Sequence, residues 1–103
     1  MVTCFLTYTI NPEKIIDFEE YGRIWIRLVE KFGGTHHGYF LPSEGACDIA
    51  YALFSFSSLA KYEEYRHASA NDDECKNAIE FARKSGCIIR YDRTFMRPLL
   101  KNL

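Results

Sequence analysis

No stretch of this 103-residue chain approaches the roughly 20 apolar residues that a membrane-spanning helix needs. Nor does it open on a basic cluster followed by an apolar core. Thr3, Thr7 and Thr9 interrupt the first candidate run, so no secretory signal is expected there. Charge of one sign is also lacking. The formal net charge is −1, and the longest acidic run, Asp72-Asp73-Glu74, reads as the start of a helix. A chain with so little field does not draw in nucleic acid or anionic lipid, and neither is expected as a partner. The cysteines Cys4, Cys47, Cys75 and Cys87 form no C-x-x-C pair and stand at no zinc-finger spacing from a histidine. They are expected to be free or buried thiols in a reducing cytoplasm. There is no G-x-S-x-G, no phosphate loop, no Cys–His nucleophile signature and no Glu–His metal cluster. No metal or other cofactor is expected.

Apolar residues are plentiful: 48% of the chain is hydrophobic and 16% aromatic. A chain this short buries only about 60–65% of the surface its unfolded form exposes. The excess suggests that a partner chain covers part of it. The length allows one small domain, residues 1–103.

Val2 to Ile10 alternates as a strand, with Val2, Cys4, Leu6, Tyr8 and Ile10 on one side. Asn11-Pro12-Glu13 then starts a helix by capping, fixed φ and favourable charge. Ile15, Phe18, Gly22, Trp25, Val29 and Phe32 recur at helical spacing until Gly33-Gly34 ends the run. Thr35 to Leu41 forms a second strand, and Pro42-Ser43-Glu44-Gly45 supplies the turn into a third, Asp48 to Phe56. Ser57 or Ser58 caps the next helix. The helical pattern breaks at Ala68-Ser69-Ala70, restarts at Asn71-Asp72-Asp73 and stops at Gly86. Cys87 to Arg97 is the last strand.

This order, β–α–β–β–α(α)–β, predicts an α+β, ferredoxin-like fold: a four-stranded antiparallel sheet with helices on one face. The third strand is apolar on both sides, so the open sheet face cannot be plainly polar. The economical arrangement is a homodimer in which two sheets face each other as a dimeric α+β barrel.

The stretch Gly33-Gly34-Thr35-His36-His37-Gly38-Tyr39-Phe40-Leu41-Pro42-Ser43-Glu44-Gly45, with Tyr8 on the early strand, Ser58-Leu59-Ala60, Glu63, Arg66 and Arg97-Pro98-Leu99, resembles the NIPSNAP family. It looks like the short bacterial single-domain members. The resemblance implies the dimeric α+β barrel fold and a homodimer, and it brings no settled reaction. Many members carry His-x-Trp on the third strand, where this chain has Ala52 and Phe54. Chemistry resting on that histidine would have to pass to His36 or His37. Haem ligation by histidine in some relatives at the superfamily level is an analogy of fold alone.

His36 and His37 are neighbours in a strand, so one should face the helices and the other the space between sheets. Either suits proton transfer near neutrality, and either is equally well explained as a hydrogen-bonded structural residue. On the last strand Arg90, Asp92 and Thr94 share one face and Tyr91, Arg93, Phe95 and Arg97 the other. Arg90 and Asp92 are candidates to line a cavity, or else they protect an edge strand from aggregation. Tyr8, Tyr39, Tyr51 and Tyr91 are candidates for a pocket wall, with core packing as the plain alternative. Arg66 is expected to bond a carboxylate or carbonyl between helix and sheet. Two functions follow. In the first, a small apolar or aromatic molecule binds in the barrel, with cofactor-independent catalysis through His36 or His37 and orientation by Tyr39, Tyr51, Arg90 and Asp92. In the second, the barrel only dimerises and the protein is a non-catalytic interaction module, as work on membrane traffic and mitochondrial quality control in larger NIPSNAP relatives implies.

Overall fold

The computed structural model describes residues 1–100. Strand β1 (Val2–Ile10), helix α1 (Ile15–Lys31), strands β2 (Thr35–Phe40) and β3 (Ile49–Phe56), helices α2 (Leu59–Ala70) and α3 (Asp73–Ser85) and strand β4 (Ile88–Met96) follow in that order. The strands make one antiparallel sheet, ordered β2-β3-β1-β4. The fold is therefore α+β with the expected βαββαβ order, the ferredoxin-like arrangement. Among the described residues no helix is long and apolar enough to cross a membrane.

The alternation of β1 decides which face is covered. Cys4, Leu6, Tyr8 and Ile10 are buried, whereas Phe5, Thr7 and Thr9 are only partly so. On β3 their neighbours in register are Phe54, Ala52 and Ala50, all buried. The helices lie over this face, and Phe18 of α1, fully buried, packs edge-on to Tyr8.

The second and third strands are each one residue shorter than the sequence reading at one end and the last strand one shorter at both, and two helix boundaries differ more. The helix expected from Pro12 divides: Pro12–Lys14 is a 3-10 turn, with Asn11 Oδ1 accepting the Glu13 N–H at 3.0 Å, and α1 begins at Ile15. A tighter first turn of this kind is common at helix starts. The break expected at Ala68-Ser69-Ala70 falls instead at Asn71-Asp72. Ser69 keeps its place in α2 by donating to the Arg66 carbonyl, and Asp72 starts α3 by accepting the Cys75 N–H at 3.0 Å.

Helix α3 leans on α1. Leu28, Cys75 and Ala78 form a small buried cluster between them, with Ile24 and Trp25 packed beside it. At the surface Arg27 pairs with Glu74 at 2.6 Å, and Lys31 with Asp72 at 3.1 Å and Glu74 at 3.0 Å. These exposed pairs orient the two helices more than they stabilise them. With α3 resting on α1, a space is left above the helix-facing side of the sheet.

Gly34 closes the core at the far end of α1. A Cβ there would stand 2.7 Å from the Phe56 ring and 2.8 Å from a Val29 methyl. Only a residue without a side chain lets the chain leave α1 this close to β3.

Candidate functional site

The site begins with an irregularity in β2. His36 stands opposite Phe54, but Gly38, not His37, stands opposite Leu53, so the strand carries one extra residue. Gly38 takes φ +108° there, a conformation that favours glycine. Its N–H donates to His36 Nδ1 at 2.9 Å. The bulge changes the parity of the strand. Strict alternation puts residues 36 and 39 on opposite faces, yet here His36 and Tyr39 lie on the same one. Their rings stack with centroids 5.1 Å apart and planes 11° apart. Tyr39 reaches this position because Gly22 of α1 leaves room: a Cβ at Gly22 would meet the Tyr39 ring at 3.1 Å.

His36 and Tyr39 lie at one side of a cavity of about 380 Å³ between the sheet and the helices. Leu6, Tyr8, Phe54, Tyr91 and Arg93 contribute from the other three strands, Tyr21 and Trp25 from α1, and Tyr65, Arg66, Ile79, Ala82 and Arg83 from α2 and α3. The size and the aromatic walls suit a small organic ligand. Among the described residues no carboxylate lines it.

Three buried donors in its lining have no acceptor in the protein: His36 Nε2, Trp25 Nε1 and Arg93 Nε. For His36 the hydrogen-bond pattern assigns the proton. Nδ1 accepts from Gly38, so in the neutral ring the hydrogen is on Nε2. Trp25 lies close to the Tyr21 hydroxyl, but its N–H does not reach hydrogen-bond geometry with it. Arg93 is half-buried beside the ring of Tyr91, 5.8 Å from its centroid. Arg93 and Arg66 have no carboxylate partner among the described residues, whereas Arg83 is paired with Glu80.

Burial sets the protonation states. It pushes the Tyr21 hydroxyl up to about 12 and raises Tyr8, Tyr39 and Tyr65 further, so these phenols stay neutral. Burial, aided by the charge on neighbouring His37, lowers the His36 pKa from 6.5 to about 4. His36 is therefore neutral at physiological pH, a donor at Nε2.

That shift predicts a pH dependence of stability. The unfolded chain takes up a proton at His36 near pH 6.5, and the folded chain only near 4. The stabilisation is thus fully present above about 6.5 and is lost as pH falls toward 4. Allowing for water's access to the half-buried ring, the loss is on the order of 2 kcal/mol. Urea unfolding at pH 7 and 4.5 measures it. His36→Phe, which keeps a ring against Tyr39, should flatten that part of the profile; an unchanged slope would refute the assignment.

The other residues singled out from sequence are divided between two faces. Tyr8, Tyr39 and Tyr91 line the cavity with His36. Tyr51, Arg90, Asp92 and His37 lie on the open sheet face. There Tyr51 stacks on Phe5 with centroids 5.4 Å apart, and Arg90 pairs with Asp92 at 2.8 Å. His37 Nε2 is 2.8 Å from the Ser55 hydroxyl, itself 2.7 Å from Thr3 Oγ1. This His–Ser–Thr chain pairs the polar groups at that end of the open face. Arg66 does not bridge helix and sheet through a carboxylate among the described residues; it is exposed and lines the cavity. Sequence reasoning missed Tyr21, Tyr65 and Arg93. In sequence Arg93 only shares a face of the last strand with Tyr91, Phe95 and Arg97; the register places it beside Leu6, on the helix-covered side.

All four cysteines are free. Burial pushes the Cys4 and Cys75 thiols up to about 11, so both are inert at neutral pH. Among the described residues no three His, Cys, Asp or Glu side chains could together hold a metal ion.

A family model described as NIPSNAP matches residues 3–100. A NIPSNAP family protein of unknown function from Agrobacterium tumefaciens superposes with a TM-score of 0.81 at 21% identity, covering 95% of this chain and 87% of that one. An uncharacterized NIPSNAP-like domain protein from Burkholderia xenovorans gives 0.78 at 18% identity, covering 99% and 88%. A putative antibiotic biosynthesis monooxygenase from Nitrosomonas europaea gives 0.73 at 8% identity, covering 97% and 100%, a likeness of fold alone. No curated protein sequence matches the chain.

Proposed function

The chain belongs to the NIPSNAP family, and from that premise we propose that it is a homodimer whose protomers each bind a small organic molecule between sheet and helices. The observation that carries this reading is the cavity of about 380 Å³ lined by three buried donors without protein acceptors. A buried donor left unpaired costs roughly 1–3 kcal/mol, and a bound molecule with acceptor oxygens removes that cost.

The donors also define the chemistry such a site can perform. His36 Nε2–H can hold a carbonyl oxygen and stabilise negative charge that develops on it, with no cofactor taking part. Among the described lining residues no general base is free at neutral pH. Burial holds Tyr8, Tyr21, Tyr39 and Tyr65 protonated, the arginines are charged, and His36 Nδ1 already accepts the Gly38 N–H. This supports binding and polarisation by His36 and Tyr39 over proton abstraction. His37, Tyr51, Arg90 and Asp92 are assigned in this reading to the contact between two facing sheets. Support for the dimer comes from the open face itself, where Phe40, Tyr51 and Met96 are 54%, 39% and 41% exposed beside Phe5 and Leu53. The protein is read as soluble and cytoplasmic.

Native mass spectrometry of protein purified from its own host, beside the denatured spectrum, tests this. The expected result is a dimer carrying a reproducible extra mass. A clean dimer would favour the second reading, a barrel that only dimerises and presents an outer surface to another protein. Exposed apolar side chains away from the open face, such as Ile16 at 78%, favour that alternative. A monomer would remove the dimer from both.

A further inference from the structure

The placement of the three unpartnered donors says what kind of molecule the cavity takes. His36 lies on β2 and Arg93 on β4, the two outer strands of the sheet. Three strand spacings separate those strands, about 14 Å between backbones at roughly 4.8 Å per spacing. The two side chains therefore enter the cavity from opposite edges of the sheet. Trp25, on α1 above the sheet, adds its N–H from a third direction.

The charges are unequal across the cavity. At the β4 side Arg93 is a permanent cation with no carboxylate partner among the described residues, and Arg66, also without one, lines the same cavity. At the β2 side His36 is a neutral donor. Between them the walls are flat rings, Tyr8 beside Tyr39 at 6.0 Å and Tyr8 beside Tyr91 at 5.9 Å between centroids.

From this geometry we infer that the ligand is a planar organic anion with acceptor oxygens at two separated positions. Its charged oxygen lies toward Arg93 and Arg66, its carbonyl or phenolic oxygen toward His36, and its ring against the wall of tyrosines. The inference rests on the ligand-binding reading above and adds the chemical class. An anion is favoured because a charge-assisted bond to guanidinium is about twice as strong as a neutral one. A cation is disfavoured by the same two arginines and by a lining that holds no carboxylate among the described residues. A molecule with one oxygen leaves a buried donor unpaired at the other end.

Calorimetric titration of the 103-residue chain with three probes tests this: 6-hydroxy-2-naphthoate, naphthalene-2,6-diol and 2-naphthoate. The hydroxy acid is expected to bind at least roughly tenfold tighter than the diol, which lacks the charge, and tighter than 2-naphthoate, which lacks the phenolic oxygen at the far end. Arg93→Met should abolish the preference for acid over diol, and Arg93→Lys should retain most of it. His36→Phe should weaken hydroxy acid and diol alike while leaving 2-naphthoate nearly unchanged. A diol that binds as tightly as the hydroxy acid, or an acid affinity indifferent to both Arg93→Met and His36→Phe, would overturn the assigned class while leaving a ligand site in place. Binding by none of the three would overturn the class and count against the ligand-binding reading with it.

Discussion

Replacing Phe18 by alanine is expected to cost about 3–5 kcal/mol of stability, the usual range for truncating a fully buried phenylalanine. Phe18 is 0% exposed. Its ring meets Tyr8 edge-on at 5.1 Å, Tyr39 edge-on at 5.7 Å and Tyr21 at 6.2 Å. It meets cavity tyrosines from α1, β1 and β2 together. Truncation removes the burial of the ring and leaves a void that these large neighbours cannot fill without leaving their rotamers. Against a typical domain stability of about 5–15 kcal/mol, a loss of this size puts the variant near its unfolding limit. Phe18→Leu, which keeps most of the volume, should cost clearly less. Urea unfolding at fixed protein concentration gives both values. A Phe18→Ala loss near 1 kcal/mol would mean that the tyrosines repack freely, and the cavity could not then hold its donors in place.

The second large effect concerns the open face. Leu53→Asp is expected to leave the fold intact and to weaken the proposed dimer roughly 30-fold or more, the factor that corresponds to about 2 kcal/mol at a central contact. Leu53 stands opposite Phe5 on β1 and Gly38 on β2, so it occupies the middle of that face and points away from the helices. A carboxylate there has no cation facing it from its own strand, and enclosing it against apolar side chains is costly. Sedimentation over a range of concentrations measures the change, with Ile16→Asp, 78% exposed on α1, as the control. A Leu53→Asp protein as dimeric as the unmodified one would move the contact to another surface. An unmodified chain that sediments as a monomer throughout would end the dimer reading.

Much of the architecture was legible in local pattern. The period of two in Val2–Ile10, the helical spacing from Ile15 to Phe32, Ser58 as a cap and Gly86 as a stop each report a preference held within a few residues. The structure keeps all of them. The candidate site was half legible. His36, Tyr8, Tyr39 and Tyr91 were singled out and the cavity contains them, but Tyr51, Arg90 and Asp92 lie on the other side of the sheet. A strand pattern gives the alternation of faces without saying which face the helices will cover.

By itself, then, the sequence determined the element order and the ferredoxin-like topology, because backbone geometry ties hydrophobic period to secondary structure and short connections limit how the elements can pair. The tertiary structure decided where the site is. The bulge between His36 and Gly38 depends on how β2 registers against β3, a balance of contacts some fifteen residues apart in the chain. That single extra residue turns His36 and Tyr39 onto one face. The cavity beneath them depends on α3 packing on α1 through Leu28, Cys75 and Ala78, so that the buried N–H groups of Trp25, His36 and Arg93 are left without protein acceptors.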